Sequence, residues 1–189
     1  TLFPYTTLFR SDPEKVADAI IHHADVRRML LTQKAIAEGG RSMIYHAAQL
    51  ADKMNDALLR GDEAAFKEHD EHLGFYTPIL KGFLTELGFE AANHGMQVYG
   101  GHGYIKEWGM EQIVRDSRIS TLYEGTTGIQ ALDLIGSKVL LSSKGKVIRD
   151  YTAEILKFCG QHATNKYMRR FAWDLTKLCA QWNALTVRL

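Results

Sequence analysis

Apolar residues return every three or four positions from Val26 onward: Val26, Met29, Leu30, Ile36, Gly40, Met43, Ile44, Ala47, Leu50, Met54 and Leu58. That spacing predicts one long amphipathic helix starting near Asp25, with a buried stripe along one side. Gly61 ends it. Gly39-Gly40 falls inside the pattern, where glycine costs roughly 1 kcal/mol relative to alanine; a close helix–helix crossing would explain it, and so would simple tolerance. The polar run 62–72 predicts a short exposed helix or loop. Thr77-Pro78 then opens the next helix, with threonine as N-cap and proline in the first turn, and Leu80, Phe83, Leu84, Leu87, Ala91 and Val98 as its stripe. Gly100-Gly101, followed by Gly103, stops it. Met110–Ile119 reads as a short helix with Glu111 near its start and Arg118 near its end, both matched to the helix dipole. Residues 120–125 form a break. Thr126 or Thr127 caps another helix carrying Ile129, Leu132, Ile135, Val139 and Leu140. Beyond a linker at 142–145, two more helices follow near 147–160 and 165–189. The last puts Met168, Phe171, Leu175, Leu178, Trp182, Leu185 and Leu189 on one face. No strand alternation follows residue 11, and there is no internal repeat or low-complexity segment. The expected fold is all-α, an antiparallel helix bundle.

Composition narrows the function more than the fold. The chain has 189 residues, a net charge of +1 and 46% hydrophobic residues. That is enough chain for a domain with a real core, with no bulk charge to draw nucleic acid or a membrane surface. No apolar run reaches the ~20 residues of a membrane span. Cys159 and Cys179 are the only cysteines and form no CxxC pair, which points to reduced thiols in a cytoplasmic protein. Residues 1–11, TLFPYTTLFRS, coincide with one reading frame of a widely used sequencing adapter and are set aside from fold reasoning. Genuine sequence is then expected from about residue 12, giving a helical domain over 12–141 and a further C-terminal helical region over 146–189, truncated at its end.

Candidate chemistry gathers at two breaks between helices. Tyr123-Glu124-Gly125-Thr126 places one carboxylate in a short gap, the arrangement expected of a single base. Tyr123 supplies an aromatic wall that would desolvate the Glu124 carboxylate and raise its pKa. Gly125 permits an unusual backbone conformation or a close ligand. The N-terminus of the next helix suits a phosphate or an oxyanion. The second break, Gln97-x-x-Gly100-Gly101-x-Gly103, ends a helix rather than opening one after a strand, so it is not a dinucleotide-binding fingerprint of the Rossmann kind. A helix C-cap needs only one glycine; three suggest backbone pressed against a ligand, with His102 beside it. His69 and His72 share a spacing compatible with metal ligation but lack an obvious third ligand, and read as surface residues. No metal site is expected.

In Gln97 to Leu140 the motifs stand in fixed order: the Gln97 to Tyr104 loop, Val114-Arg115-Asp116, Tyr123 to Thr126, and Ile129-Gln130. With them the chain resembles the acyl-CoA dehydrogenase family, over about residues 13–189. Residues 24–34 and 100–111 further resemble the subgroup that includes 3-methylmercaptopropionyl-CoA dehydrogenase. The resemblance implies the C-terminal helical domain, with extra C-terminal helices, of an FAD-dependent enzyme that oxidises acyl-CoA thioesters to trans-2-enoyl-CoA. It implies Glu124 as the base that takes the α-proton while the β-hydrogen leaves as hydride to the flavin. The Glu124 amide would then help hold the thioester carbonyl. Gln97, Gly100, Gly101, Gly103 and Thr126 would contact FAD, and Tyr123 and Gly125 would line the acyl pocket. It further implies an acyl-CoA substrate, an electron-transfer flavoprotein as acceptor, and a homodimer or homotetramer. Gly128 stands where many members carry a cofactor-contacting glutamine. The family's N-terminal helical and central β-domains are expected to be missing from this chain, which alone would neither bind FAD tightly nor turn over. The alternative expectation is a non-catalytic helical module that keeps the fold for assembly or ligand binding.

Overall fold

In the computed structural model, which describes Glu14 and residues 18–188, the chain is helical and carries no strand among the described residues. The elements are α1 (Ala24–Arg60), α2 (Glu63–Val98), a single turn α3 (Gly101–Tyr104), α4 (Met110–Ile119), α5 (Thr127–Leu132), a wider π-helical coil (Asp133–Ser142), α6 (Lys146–His162) and α7 (Arg169–Thr186). Short 3-10 turns occupy Ile20–His22 and Lys106–Trp108. The adapter-like segment 1–11 lies outside the described residues. No described helix is long and apolar enough to cross a membrane.

α1 follows the predicted stripe, but only part of that stripe is covered. Met29, Ala47 and Leu50 are buried, whereas Leu30, Ile44 and Leu58 face solvent. α2 corrects the sequence expectation. Residues 63–72 of the polar run are part of the same helix, and Pro78 sits well inside it. Asp62 provides the cap, its carboxylate accepting from the Ala65 N–H at 3.0 Å. Thr77 is mid-helix, its hydroxyl donating to the Leu73 carbonyl at 2.9 Å. Proline removes one intrahelical bond and crowds the carbonyl four residues back. Burial of the Pro78 ring compensates. A hydrophobic site inside the bundle thus outweighs a strong local start signal.

The chain divides into two compact units, both long helices contributing to each. One comprises the residues up to Ser42 with Leu84–Tyr123. Inside it a Cβ on Gly40 would sit 3.3 Å from Leu84 Cδ2, whereas one on Gly39 would meet open space. A Cβ on Gly95 would likewise lie 2.7 Å from Met110 Cε.

The other unit comprises Met43–Phe83 with the residues from Glu124 onward. Its core is Phe75, Val139, Val147 and Ile148, ringed by Tyr76, Ile79, Leu134, Tyr151 and Trp182. α6 and α7 form an antiparallel hairpin in which the Asn183 amide donates to the Thr152 hydroxyl at 3.2 Å. The Asn165 carboxamide oxygen starts the return, accepting from the Tyr167 and Met168 N–H groups at 2.9 and 3.2 Å. The predicted single face of the last helix divides. Leu175 and Trp182 are partly covered while Phe171, Leu178 and Leu185 are exposed. Ala172 and Cys179 are the buried positions, because small side chains let α7 approach α6 closely. Cys159 and Cys179 are both free and buried, and burial pushes the Cys179 thiol pKa up.

Tyr76 and Tyr151 pack edge to face, ring centroids 5.7 Å apart. Burial, first, raises both phenols above the ordinary 10.0; Tyr76 is raised further by Tyr151 and Glu154, and Tyr151 by Cys179 and Glu154. For a group whose folded pKa exceeds its unfolded value, the associated stability is complete below the unfolded value and declines as pH climbs from about 10 through the folded pKa. A tyrosinate absorbance titration is therefore expected to show a late phase that disappears in part in Tyr76→Phe, with thermal stability falling over the same alkaline range. A titration with no late phase would contradict the burial argument.

Candidate functional site

Glu124 follows α4 and a tightly bonded turn. Within the first unit, the Arg118 guanidinium donates to the Thr121 hydroxyl and stacks over the Phe89 ring at 5.6 Å. The Thr121 hydroxyl donates back to the Arg118 carbonyl at 3.1 Å, and the Tyr123 N–H donates to the Ile119 carbonyl at 3.3 Å. The two units part at the peptide bond after Tyr123. Glu124 itself has φ 54 and Gly125 has φ 94, so two consecutive residues occupy the left-handed region. That is costly for glutamate, which has a Cβ, and natural for glycine. Thr126 then returns to extended backbone as the residue before α5, with no side-chain capping bond. Of the two threonines read as candidate caps, Thr126 holds the cap position without using its hydroxyl there.

The Glu124 carboxylate is exposed, and Tyr123 is 55% exposed. The ring lies on the chain's surface, and shielding of the carboxylate needs protein beyond these two residues. What the sequence located correctly is the break and its special backbone. What it missed is the contact that holds it: the Gln130 side-chain amide donates to the Glu124 carbonyl at 3.2 Å. Gln130 was visible as part of a motif, but no spacing rule assigns a side chain to a carbonyl six residues earlier.

The glycine segment sits in the first unit and is more ordered than three glycines in a row of four suggest. After α2, the Gly100 N–H donates to the Gln97 carbonyl at 3.0 Å, and the Gly103 N–H to the Gly100 carbonyl at 3.0 Å. The segment 101–104 forms one helical turn just beyond the point where α2 stops. Gly103 is required by the fold itself, since a Cβ there would fall 2.3 Å from the Met96 carbonyl oxygen. Gly100 and Gly101 are exposed with open space beside them, so they, with the exposed Gln97, are the positions free to meet a ligand. His102 packs edge-on against Trp108 at 5.4 Å, and Tyr99 tilts against the same indole at 6.2 Å. This exposed aromatic edge borders the loop.

His69 and His72, read from the sequence as surface residues, are partly enclosed. In the second unit His46, His69 and His72 line a cavity of about 200 Å³ together with Glu68, Asp150 and Glu154. His72 Nε2 is 3.8 Å from Asp150 Oδ2, too far for a hydrogen bond. Lys146, 2.7 Å from the same oxygen, holds the Asp150 carboxyl below its usual range. Among the described residues no group of three or more His, Cys, Asp or Glu side chains is arranged to hold a metal ion.

Comparison with known proteins covers most of the chain. A family model for the acyl-CoA dehydrogenase C-terminal domain matches residues 9–140. A 3-methylmercaptopropionyl-CoA dehydrogenase of Ruegeria pomeroyi is 46% identical over 121 residues, 64% of this chain and 20% of that protein. A butyryl-CoA dehydrogenase of Syntrophomonas wolfei is 31% identical over 175 residues, 93% of this chain and 28% of its own length. A broad-specificity linear acyl-CoA dehydrogenase of Mycobacterium tuberculosis is 36% identical over 148 residues, 77% of this chain and 23% of that protein. The chain thus spans between a fifth and somewhat over a quarter of these relatives.

Proposed function

The chain belongs to the acyl-CoA dehydrogenase family through its C-terminal domain, and from that premise we propose that it is the base-bearing part of an FAD-dependent enzyme that oxidises an acyl-CoA thioester to the trans-2-enoyl-CoA. The observation that carries the proposal is the Glu124 turn. A single carboxylate is presented on a left-handed backbone held by a side-chain hydrogen bond. Such strain gathers at functional sites. In this reading Glu124 removes the proton from the carbon next to the thioester carbonyl, and its own N–H helps hold that carbonyl as charge develops on it. FAD, when bound, supplies the acceptor for the β-hydride. Tyr123 and Gly125 border the acyl chain.

The residues assigned to the cofactor fit a dinucleotide unevenly. Gln97, Gly100 and Gly101 offer exposed side-chain and backbone groups with room beside them, and the Thr126 hydroxyl is not spent on capping. Gly103 contributes by shaping the turn rather than by touching the ligand. Gly128 leaves open space where a glutamine side chain would reach. The electron acceptor in this reading is an electron-transfer flavoprotein, and the assembly a homodimer or homotetramer. A non-catalytic assembly module is the second reading, favoured by the exposure of Glu124.

The test is to assay the intact parent polypeptide on a panel of acyl-CoA thioesters, 3-methylmercaptopropionyl-CoA among them, with an artificial acceptor, and to purify the 189-residue chain alongside. The parent is expected to be yellow and to reduce the acceptor with at least one thioester, and the short chain to carry no stoichiometric flavin. A colourless parent inert to the whole panel supports the assembly module; a fully flavinated short chain overturns the view that other parts of the enzyme supply most of the cofactor contacts.

A further inference from the structure

We propose that Gln130 is the positioning residue for Glu124, fixing the backbone turn from which the carboxylate projects; this rests on the reading of Glu124 as the base. Among the described residues only Glu124 and Lys144 adopt positive φ without being glycine. A side chain in that region persists only where its surroundings over-determine it. The determinant at Glu124 is local. The Gln130 amide donates to the Glu124 carbonyl at 3.2 Å. The Gln130 backbone N–H donates to the Thr126 carbonyl at 3.0 Å, tying the same residue to the first turn of α5.

Gly125 completes the arrangement. Its φ of 94 excludes most side chains, and a Cβ there would meet Gln130 Nε2 at 2.6 Å and Ile129 Cγ2 at 3.5 Å. The amide of Gln130 therefore occupies the space that any other residue at 125 would need. Glutamine fits this role and glutamate does not. A carboxylate at 130 would present an acceptor to the Glu124 carbonyl, which is itself only an acceptor. Without the pin, rotation about the Glu124 backbone would swing the carboxylate away from the carbon it must deprotonate, and a misplacement near 1 Å can cost about 100-fold in rate.

Three variants of the parent enzyme separate the possibilities: Gln130→Met, which keeps bulk and removes the donor, Gln130→Glu, which keeps shape and reverses polarity, and Glu124→Gln. The two Gln130 variants are expected to lose about 10- to 100-fold in kcat, with KM for the acyl-CoA changed by no more than about two-fold and flavin still stoichiometric. Adding Gln130→Met to Glu124→Gln should slow the enzyme no further, since both act through one carboxylate. Unchanged kcat in both Gln130 variants, or flavin content and KM deteriorating together with kcat, overturns the positioning role. On the 189-residue chain the pin is read without any activity. The amides of Glu124 and Gly125 should gain mobility by ¹⁵N relaxation in Gln130→Met, and equal order in both chains overturns the proposal. An active Glu124→Gln enzyme would instead sink the assignment of the base, whatever the Gln130 variants do.

Discussion

Glu124→Gln in the intact enzyme is expected to lower the dehydrogenation rate by about 10²–10⁴-fold, the range associated with a positioned general base, while leaving flavin stoichiometric. Glutamine reproduces the shape of the side chain and cannot accept a proton at neutral pH. The backbone of residue 124 should survive the change, because the contact that holds it runs from Gln130 to the main-chain carbonyl and not to the carboxylate. The loss should fall on kcat, with KM for the thioester little altered, since the carboxylate acts on the proton in transit rather than on the bound ground state. Exposure of Glu124 in this chain adds a condition. Substrate and neighbouring protein must exclude water from the carboxylate for it to act as the base. Steady-state assay with an artificial acceptor decides the matter. Activity within tenfold of the parent would move the base elsewhere, and no acyl-CoA oxidation in either protein would favour the assembly module.

The sequence carried the long elements well because their signals are local and repeated. α1 runs Ala24–Arg60, close to the extent that three-and-four spacing and Gly61 require. The errors arise where tertiary contacts outvote local rules. Thr77-Pro78 has the chemistry of a helix start, yet α2 continues through it with the Pro78 ring buried. The stripe in α7 mixes two faces, because Ala172 and Cys179 set the contact with α6 and leave Phe171 and Leu178 outside. The π-helical coil at Asp133–Ser142 shifts side-chain phase without leaving a compositional mark, so Leu132 and Leu140 are exposed beside a fully buried Val139. At the candidate site the break, the glutamate and the glycines were all legible. The left-handed φ of Glu124 was not, since nothing in a glutamate advertises it; the cause is a side chain six positions away.

Phe75→Ala should be the most damaging single change to the second unit, at about 3–5 kcal/mol of stability. Phe75 is 1% exposed and is the largest side chain wholly enclosed among the described residues. Its ring lies 5.7 Å from Tyr76, 5.4 Å from Tyr151 and 6.2 Å from Trp182, the last nearly stacked. Val139, Val147 and Ile148 complete the enclosure. Removing the ring empties a site walled by three large aromatics that cannot collapse inward without leaving their own contacts, which is where cavity costs are highest. Phe83→Ala is the internal control: the same atoms are deleted from a side chain 51% exposed, and a cost below about 1 kcal/mol is expected. Denaturant unfolding followed by near-ultraviolet circular dichroism reports the aromatic cluster directly. Similar costs for the two variants would mean that Phe75 is not the keystone of this core. A large difference would carry a consequence for domain boundaries. Phe75 and Val139 lie inside the family-matched segment 9–140 while Tyr151 and Trp182 lie beyond it, so the C-terminal hairpin supplies core that the matched segment would otherwise expose to water.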